Sequence, residues 1–215
     1  GAGHGELLRV LPPCRAVVVI ELDPQLASGL RAQFPGVIVR QGNALDLIDG
    51  APFDVLVSNV PFSIVEPLVF RLFGLKFRRA VLLVPSSVRE RLVEQKSVVG
   101  LYASAFLRVE SWEEFDVAHL SPAPETALSL IVLSPKTERS NIEKLLFELY
   151  TQRDKRAGNA LREALCRIKG WTKRESEAVV KEKVSEEIRR ETVPQLSSSQ
   201  LATLVEVLTP CLQDS

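Results

Sequence analysis

The sequence of 215 residues contains no methionine, two histidines and three cysteines. The cysteines Cys14, Cys166 and Cys211 are odd in number, widely spaced and without a metal-ligand pattern, which argues against a disulfide framework. His4 and His119 are too few for a zinc site built on histidines. Neither a disulfide-stabilised fold nor a metal site is therefore predicted.

Long apolar runs are missing as well. No stretch approaches the ~20 apolar residues that a membrane-spanning helix needs, and no charged and then apolar leader precedes the first strand. A hydrophobic content of 46% suits a globular core and excludes a disordered or fibrous chain. We therefore expect a soluble cytoplasmic protein with no membrane partner, and we expect a monomer.

An excess of one charge is also absent, because 27 Lys and Arg residues balance 27 Asp and Glu residues. This balance argues against a nucleic-acid partner until the local distribution is considered. The segment 151–174, here called the cationic segment, holds eight basic and two acidic residues. It is either a solvated helix surface or a surface for phosphates. The following stretch, 175–191, mixes both signs and is interpreted as a solvated helix face.

Short apolar runs alternate with helical patterns in the first two thirds of the chain, which predicts an α/β fold with a doubly wound parallel sheet. Two later apolar segments, 104–109 and 128–133, are expected to form the antiparallel end of that sheet. The earlier runs are rich in Val and Ile and end at turn residues; they are 16–20, 37–39, 53–58 and 80–84.

From Pro135 onward the pattern is helical only. The composition therefore predicts a boundary near 134–140, with a first domain at 1–136 and a small all-helical domain at 137–215.

Three glycines, Gly1, Gly3 and Gly5, are spaced as in a turn that lets the backbone approach a ligand closely. Glu21 follows at the end of the next strand, about 20 residues on, where a carboxylate can accept both hydrogen bonds of a ribose diol. Asn43 ends a later strand, where its amide either meets an adenine edge or forms a turn. Together they suit a cofactor that contains adenosine.

The tetrapeptide Asn59-Val60-Pro61-Phe62 directly follows an apolar strand. The carboxyl end of such a strand is where open α/β sheets bind ligands. The Asn59 carboxamide oxygen and the Pro61 carbonyl can both accept from an amino group, and Phe62 can stack on a flat base. The alternative is a structural turn in which Pro61 sets the bend and Phe62 belongs to the core.

In order along the chain, these residues resemble the KsgA family of ribosomal RNA adenine dimethyltransferases. Segment 1–7 resembles the family's methyl-donor loop, 19–23 its ribose-binding strand end, and 41–44 its adenine-contacting segment. Segment 59–64 matches the catalytic Asn-x-Pro-Phe/Tyr loop. Segment 146–156 is similar to the family's entry into its helical domain.

The resemblance implies a Rossmann-like class I methyltransferase sheet with a small C-terminal helical domain. It implies transfer of methyl groups from S-adenosylmethionine to the N6 amine of adenine in RNA of the small ribosomal subunit or its precursor, with dimethylation and a role in ribosome assembly. The catalytic residues implied are Asn59, Pro61 and Phe62. The cofactor residues are Gly1, Gly3, Gly5, Glu21, Asn43 and Asn59. The RNA-binding residues are Arg153, Lys155, Arg156, Arg162 and Lys169.

The sequence departs from the family at several places. Asn43 stands where Asp is usual, and segments 84–92 and 120–128 differ from the family's patterns after the fifth strand and beside the target base. The family's first strand is missing, so we expect a fragment of a longer protein. Two other functions stay open: methylation of a different RNA, as in the large-subunit resistance enzymes, and a non-catalytic role in ribosome assembly.

Overall fold

The computed structural model describes residues 1–50, 52–115 and 126–213. Segment 120–124, where the sequence departs from the family beside the target base, lies outside these residues. The strands are β1 Val18–Glu21, β2 Ile38–Gln41, β3 Val55–Asn59, β4 Arg79–Pro85, β5 Leu107–Phe115 and β6 Leu128–Pro135. The helices are α1 Glu6–Val10, α2 Pro24–Gln33, α3 Ala44–Leu47, α4 Val65–Leu72, α5 Ser86–Val93, α6 Val98–Phe106, α7 Asn141–Thr151, α8 Ala157–Lys169, α9 Lys173–Lys183, α10 Glu186–Arg190 and α11 Ser198–Gln213. Short 3₁₀ turns occupy Ile48–Gly50, Phe62–Ile64 and Val193–Gln195.

The chain folds into two compact units. The sheet unit comprises Gly1–Arg89 and Glu110–Ser134, and the helical unit comprises Glu90–Val109 and Pro135–Ser215. Helix α6 packs against α7 because it is apolar on nearly every side, so it belongs to the helical unit although it precedes the expected boundary. The functional division into 1–136 and 137–215 stays a prediction.

The strands of the sheet unit confirm the predicted alternation of strands and helices. Strands β1 and β2 pair in parallel, with Glu21 opposite Gln41. Strands β3 and β4 also pair in parallel, with Asn59 opposite Leu83. Strand β6 runs antiparallel to β4, and the order of this second sheet is β3-β4-β6-β5. The antiparallel strand predicted at 128–133 is therefore confirmed. The strand predicted at 104–109 is wrong in its first half, because residues 104–106 end α6 and β5 begins at Leu107; a short apolar run does not distinguish a buried helix from a strand.

Within the described residues, β3 is one of the two edge strands of the four-stranded sheet. Its residues alternate between the two faces, and Val55 and Val57 on one face are 42% and 40% exposed. Asn59 follows them on the same face, so the strand carries an apolar surface that ends in a polar group.

Local signals set the element boundaries. The Asp23 carboxylate accepts from the backbone N–H groups of Gln25 and Leu26 at 2.7 and 3.0 Å, and Pro24 occupies the first helical position. These features begin α2 where the sequence predicts it. The buried residues Ala27 and Leu30 then share the inner face of the helix.

Leucines fill the core of the helical unit. Nine of them are less than 2% exposed and come from α7, α8 and α11, namely Leu145, Leu146, Leu149, Leu161, Leu165, Leu201, Leu204, Leu208 and Leu212. Their spacing of three and four residues places them on one face of each helix. Among the described residues, no helix combines the length and the apolar character needed to cross a membrane.

Two helical glycines provide a matched test of this packing. A Cβ atom on Gly100 would lie 2.1 Å from the Arg91 carbonyl oxygen, whereas a Cβ on Gly29 would meet nothing within 4 Å. We expect Gly100→Ala to lower the free energy of unfolding by about 1–3 kcal/mol through overpacking. We expect Gly29→Ala to raise it by about 0.4–1 kcal/mol through reduced backbone entropy. Urea unfolding measures both, and equal effects would contradict the packing described.

Candidate active site

The Asn59–Phe62 loop leaves the carboxyl end of β3 with one buried anchor. Val60 is 2% exposed, and its N–H donates to the Leu83 carbonyl oxygen of β4 at 3.2 Å. The Ile64 N–H donates to the Pro61 carbonyl oxygen at 3.0 Å and begins the 3₁₀ turn. Asn59, Pro61 and Phe62 are exposed on either side of this anchor.

Phe62 is 52% exposed and is therefore not part of the core. Pro61 does set a turn, as the structural alternative requires. Its carbonyl oxygen keeps one lone pair beyond the bond from Ile64. The Asn59 carboxamide has no hydrogen bond to any described residue. The loop therefore presents two acceptors and one aromatic ring to solvent.

The loop that contains Gly1, Gly3 and Gly5, here called the glycine loop, requires glycine at two positions because of its backbone angles. Gly3 and Gly5 have φ angles of 58° and 84°, in the left-handed region that glycine populates readily. A Cβ on Gly5 would also lie 2.6 Å from the Phe34 ring. Gly5 is the residue that precedes α1, and its N–H donates to the Ala2 carbonyl oxygen at 3.0 Å.

Glu21 connects this loop to β1. Its Oε2 accepts from the N–H groups of Ala2 and Gly3 at 2.6 and 3.0 Å, and its Oε1 accepts from the Asp23 N–H at 3.0 Å. The residue is 5% exposed. A Cβ on Gly1 would lie 3.3 Å from Oε2. The structure thus brings Gly1, Gly3 and Glu21 together, as the sequence predicts for a donor site.

Burial and hydrogen bonding act in opposite directions on Glu21. Burial of the carboxylate by itself raises the pKa, but N–H donors from Asp23, Gly3 and Ala2 favour the ionised form, so that the net pKa is lowered. Glu21 is therefore an ionised carboxylate at neutral pH, held by backbone dipoles.

Asn43 lies at the same edge of the β1–β2 sheet. The Gly42 N–H donates to the Glu21 carbonyl oxygen at 2.9 Å, and the Asn43 side-chain oxygen accepts from the Leu45 N–H at 3.0 Å to cap α3. Its amide group keeps both N–H donors. The described hydrogen bonds do not join this group of residues to Asn59.

The cationic segment lies in the helical unit, and its side chains differ in their partners. Lys155 Nζ contacts Glu163 Oε2 at 2.7 Å and donates to Gln152 at 3.1 Å. Arg153 lies over the Tyr150 ring and donates to its hydroxyl, while Lys169 lies near Trp171, 5.8 Å from the ring centre.

Arg156 and Arg162 complete the predicted RNA-binding set. Neither forms an ion pair with a described residue. Across 1–50, 52–115 and 126–213, no group of three or more His, Cys, Asp or Glu residues is arranged to hold a metal ion.

Comparison with known proteins assigns the chain to a family. The model of the family described as "Ribosomal RNA adenine dimethylase" matches residues 1–206. The chain belongs to this family. Two solved structures share the fold of this chain: a dimethyladenosine transferase from Plasmodium falciparum, with a TM-score of 0.60 and 19% identity over 98% of this chain and 88% of that one, and the 23S rRNA methyltransferase ErmE, with a TM-score of 0.59 and 20% identity over 97% of this chain and 88% of that one.

Relatives with closer sequences are named ribosomal RNA small subunit methyltransferases. The protein from Thermococcus onnurineus, named "Probable ribosomal RNA small subunit methyltransferase A", is 33% identical over 66% of this chain and 55% of its own length. The "Ribosomal RNA small subunit methyltransferase A" of Synechococcus sp. is 31% identical over 75% of this chain and 69% of its own length. The chain thus spans about half the length of the first of these relatives.

Residues outside the predicted set also line the surface near Arg156 and Arg162. Asn159 of α8 and Arg189 and Arg190 of α10 line one cavity together with Arg156 and Arg162. The sequence predicts a solvated helix face at 175–191, because the balance of charges in a segment does not show which helices approach one another. The adjacent Arg189 and Arg190 are the sequence signal that points to this surface.

Glu21→Gln tests the role of the carboxylate in the loop. Because the folded pKa is below the ordinary value of 4.5, the charge contributes stability above that value, and the contribution is lost as pH falls through the folded pKa. We expect the variant to have a lower Tm than wild type at pH 7, with a difference that shrinks below about pH 4.5. Thermal unfolding followed across pH measures this.

Glu6→Gln is the control, because Glu6 is exposed and lies in the first turn of α1 beside the same loop. We expect a smaller effect at pH 7. A Tm difference for Glu21→Gln that is constant from pH 7 to pH 3 would contradict the assigned role of the charge.

Proposed function

We propose that this protein transfers methyl groups from S-adenosylmethionine to the N6 amine of adenine in small-subunit ribosomal RNA and that it dimethylates the base. The observation that carries the proposal is the exposed Asn59-Val60-Pro61-Phe62 loop at the carboxyl end of β3, in a chain of the adenine dimethylase family. The loop offers acceptors for an amino group and a ring for a base, which are the groups this reaction needs.

Asn59 Oδ1 and the free lone pair of the Pro61 carbonyl would accept the two N–H bonds of the adenine amine. This holds the nitrogen lone pair in one direction, toward the methyl donor. Phe62, 52% exposed, would stack on an adenine that has left its helix. Orientation of the nucleophile would supply most of the rate enhancement. The C–N bond would form as the methyl C–S bond breaks, with the sulfur leaving as a neutral thioether, and the amine proton would then pass to solvent, so that no dedicated base is required.

The donor site suits an adenosine-containing cofactor in its residue types. The glycine loop, Glu21 and Asn43 would hold S-adenosylmethionine, which supplies a methyl group on a positively charged sulfur when bound. The buried Glu21 carboxylate has about four acceptor positions, of which backbone N–H groups use three. The Asn43 amide retains donors for an adenine ring nitrogen while its oxygen caps α3.

The cationic segment supports binding of RNA. The residues predicted from the sequence would bind the phosphates of the RNA, and the affinity for RNA would fall as the salt concentration rises. In this proposal 1–136 carries the methyltransferase site and 137–215 binds RNA. A monomeric state and a cytoplasmic location remain predictions that belong to the same proposal.

Asn59→Ala tests the catalytic assignment. Loss of the carboxamide removes the group that orients the amine, so we expect methylation of small-subunit RNA to fall by about 100-fold or more. Binding of S-adenosylmethionine, measured by calorimetry, is expected to change little. Transfer of labelled methyl groups and the position of the modified adenines provide the readout.

Ser63→Ala is the matched control, since Ser63 is exposed in the same loop and forms no described hydrogen bond. We expect wild-type activity from it. Methylation by Asn59→Ala at the wild-type rate would rule out the proposed role, and cofactor binding without any transfer by the wild-type protein would favour the assembly role.

Phe62→Ala tests stacking separately. Base stacking on an aromatic ring contributes about 1–3 kcal/mol, so we expect KM for RNA to rise about 5-fold to 150-fold. Phe62→Tyr keeps the ring and is expected to retain activity. Because the side chain is half exposed, neither change should alter the Tm much, and an unchanged KM for Phe62→Ala would refute stacking.

A further inference from the structure

The helical unit contains a cavity of about 260 Å³ between α8, α9 and α10. This volume is many times the roughly 10–15 Å³ that admits one water molecule, so a phosphate group fits. The cavity is lined by Arg156, Gly158, Asn159, Arg162, Glu177, Val180, Lys181, Glu186, Arg189 and Arg190.

Backbone contacts build this cavity. Residues 155–157 pair with 191–193: the Ala157 N–H donates to the Glu191 carbonyl oxygen at 2.8 Å, and the Val193 N–H donates to the Lys155 carbonyl oxygen at 3.1 Å. The start of α8 is thereby fixed beside the end of α10.

Gly158 makes the approach of the two helices possible. A Cβ at this position would lie 3.1 Å from the Arg189 carbonyl oxygen and 3.2 Å from the Arg189 Cβ. These distances are tighter than most real contacts of a Cβ atom. The missing side chain thus brings arginines from two helices to the same cavity, although more than 25 residues separate them in sequence.

The charges around the cavity do not balance. Five lining residues are cationic and two are carboxylates. Glu177 is paired with Lys181 at 2.7 Å, and Glu186 is paired with Arg190. Both carboxylates thus have a paired cation, and Arg156, Arg162 and Arg189 form no ion pair with a described residue. Arg162 lies close enough to Glu163 and Glu177 to lower the pKa of both carboxyl groups, so its charge is partly balanced.

Arg162 is the most informative of the three. Its Nε is buried and has no hydrogen-bond partner among the described residues. A buried guanidinium N–H without an acceptor costs free energy, so such groups normally have a partner. Arg189 differs, because its Nε donates to the Val184 carbonyl oxygen at 3.0 Å. Arg156 is exposed at the start of α8.

We propose that this cavity binds a phosphate group of RNA, with Arg156 and Arg162 as its main ligands and Asn159 as a further donor. Arginine presents several N–H donors in a planar fork that matches phosphate geometry. The inference rests on the proposed function, because that function supplies the RNA. It changes the expected RNA surface: Arg189 and Arg190 join it, whereas Lys155 is held by Glu163 and contributes less.

The test compares RNA binding by two double variants of the full chain. Arg156→Gln with Arg162→Gln removes the two main ligands, and we expect the Kd for a small-subunit RNA hairpin to rise about tenfold or more. The slope of log K against log salt is expected to decrease by about 1. Fluorescence anisotropy at several salt concentrations measures both quantities.

Lys144→Gln with Lys183→Gln is the matched control. Both lysines are exposed in the helical unit, outside the cavity and outside the cationic segment, and the change in net charge is the same. We expect an effect of less than about threefold from this pair. Equal effects of the two double variants on Kd and on the salt slope would overturn the proposal.

Two further measurements separate folding and ligand source. Arg156→Gln alone alters only an exposed side chain, so a loss of RNA binding by this variant cannot be attributed to a folding defect. Arg162→Lys keeps the positive charge and is expected to restore part of the RNA binding that Arg162→Gln loses.

Inorganic phosphate is titrated while the amide NMR signals of Gly158 and Asn159 are followed. If the wild-type protein binds no RNA, the proposed function fails. NMR shifts caused by phosphate would in that case assign the cavity to a free anion, and only the assignment to RNA would be overturned. Absence of both RNA binding and shifts would overturn the cavity proposal as well.

Discussion

The hydrogen bonds of Glu21 hold the candidate donor site together. Its carboxylate accepts from Ala2 and Gly3 of the glycine loop and from Asp23, which in turn caps α2 with its own side chain. The Glu21 carbonyl oxygen accepts from Gly42, directly before Asn43. One residue therefore positions the loop, the start of a helix and the end of the neighbouring strand. Because three backbone dipoles stabilise its charge, this arrangement depends on the ionised form.

The same arrangement has a cost for ligand binding. The Glu21 oxygen that accepts from Ala2 and Gly3 is also an acceptor that a ribose diol would use. A diol that bonds to both oxygens must replace one of these two N–H groups, because Oε1 keeps a free acceptor position and Oε2 does not. Its affinity would therefore include the free energy of breaking one bond between the loop and the carboxylate. Binding and loop position are thereby linked in the proposed donor site, whereas the Asn59 loop, which is anchored by Val60 on β4, is free of this competition.

Features that depend on local sequence were predictable, and features that depend on distant contacts were not. Asp23-Pro24 and Pro61 act on their neighbours, so the start of α2 and the turn at the end of β3 followed from the sequence. The exposure of Phe62 could not be predicted from the sequence, because an aromatic residue after a strand occurs both in protein cores and in binding sites. Arg189 was missed since its proximity to α8 depends on the space left by Gly158. The placement of α6 with the helical unit likewise reflects tertiary packing.

The anchor at Val60 fixes the loop without using any of the groups proposed for chemistry. Val60 is 2% exposed and its N–H donates to the Leu83 carbonyl oxygen, whereas Asn59, Pro61 and Phe62 stay exposed on either side. A base that binds at the proposed site would therefore require little ordering of the loop backbone. Most of the binding free energy of the base would then be retained, because a preformed site reduces the entropy lost on association.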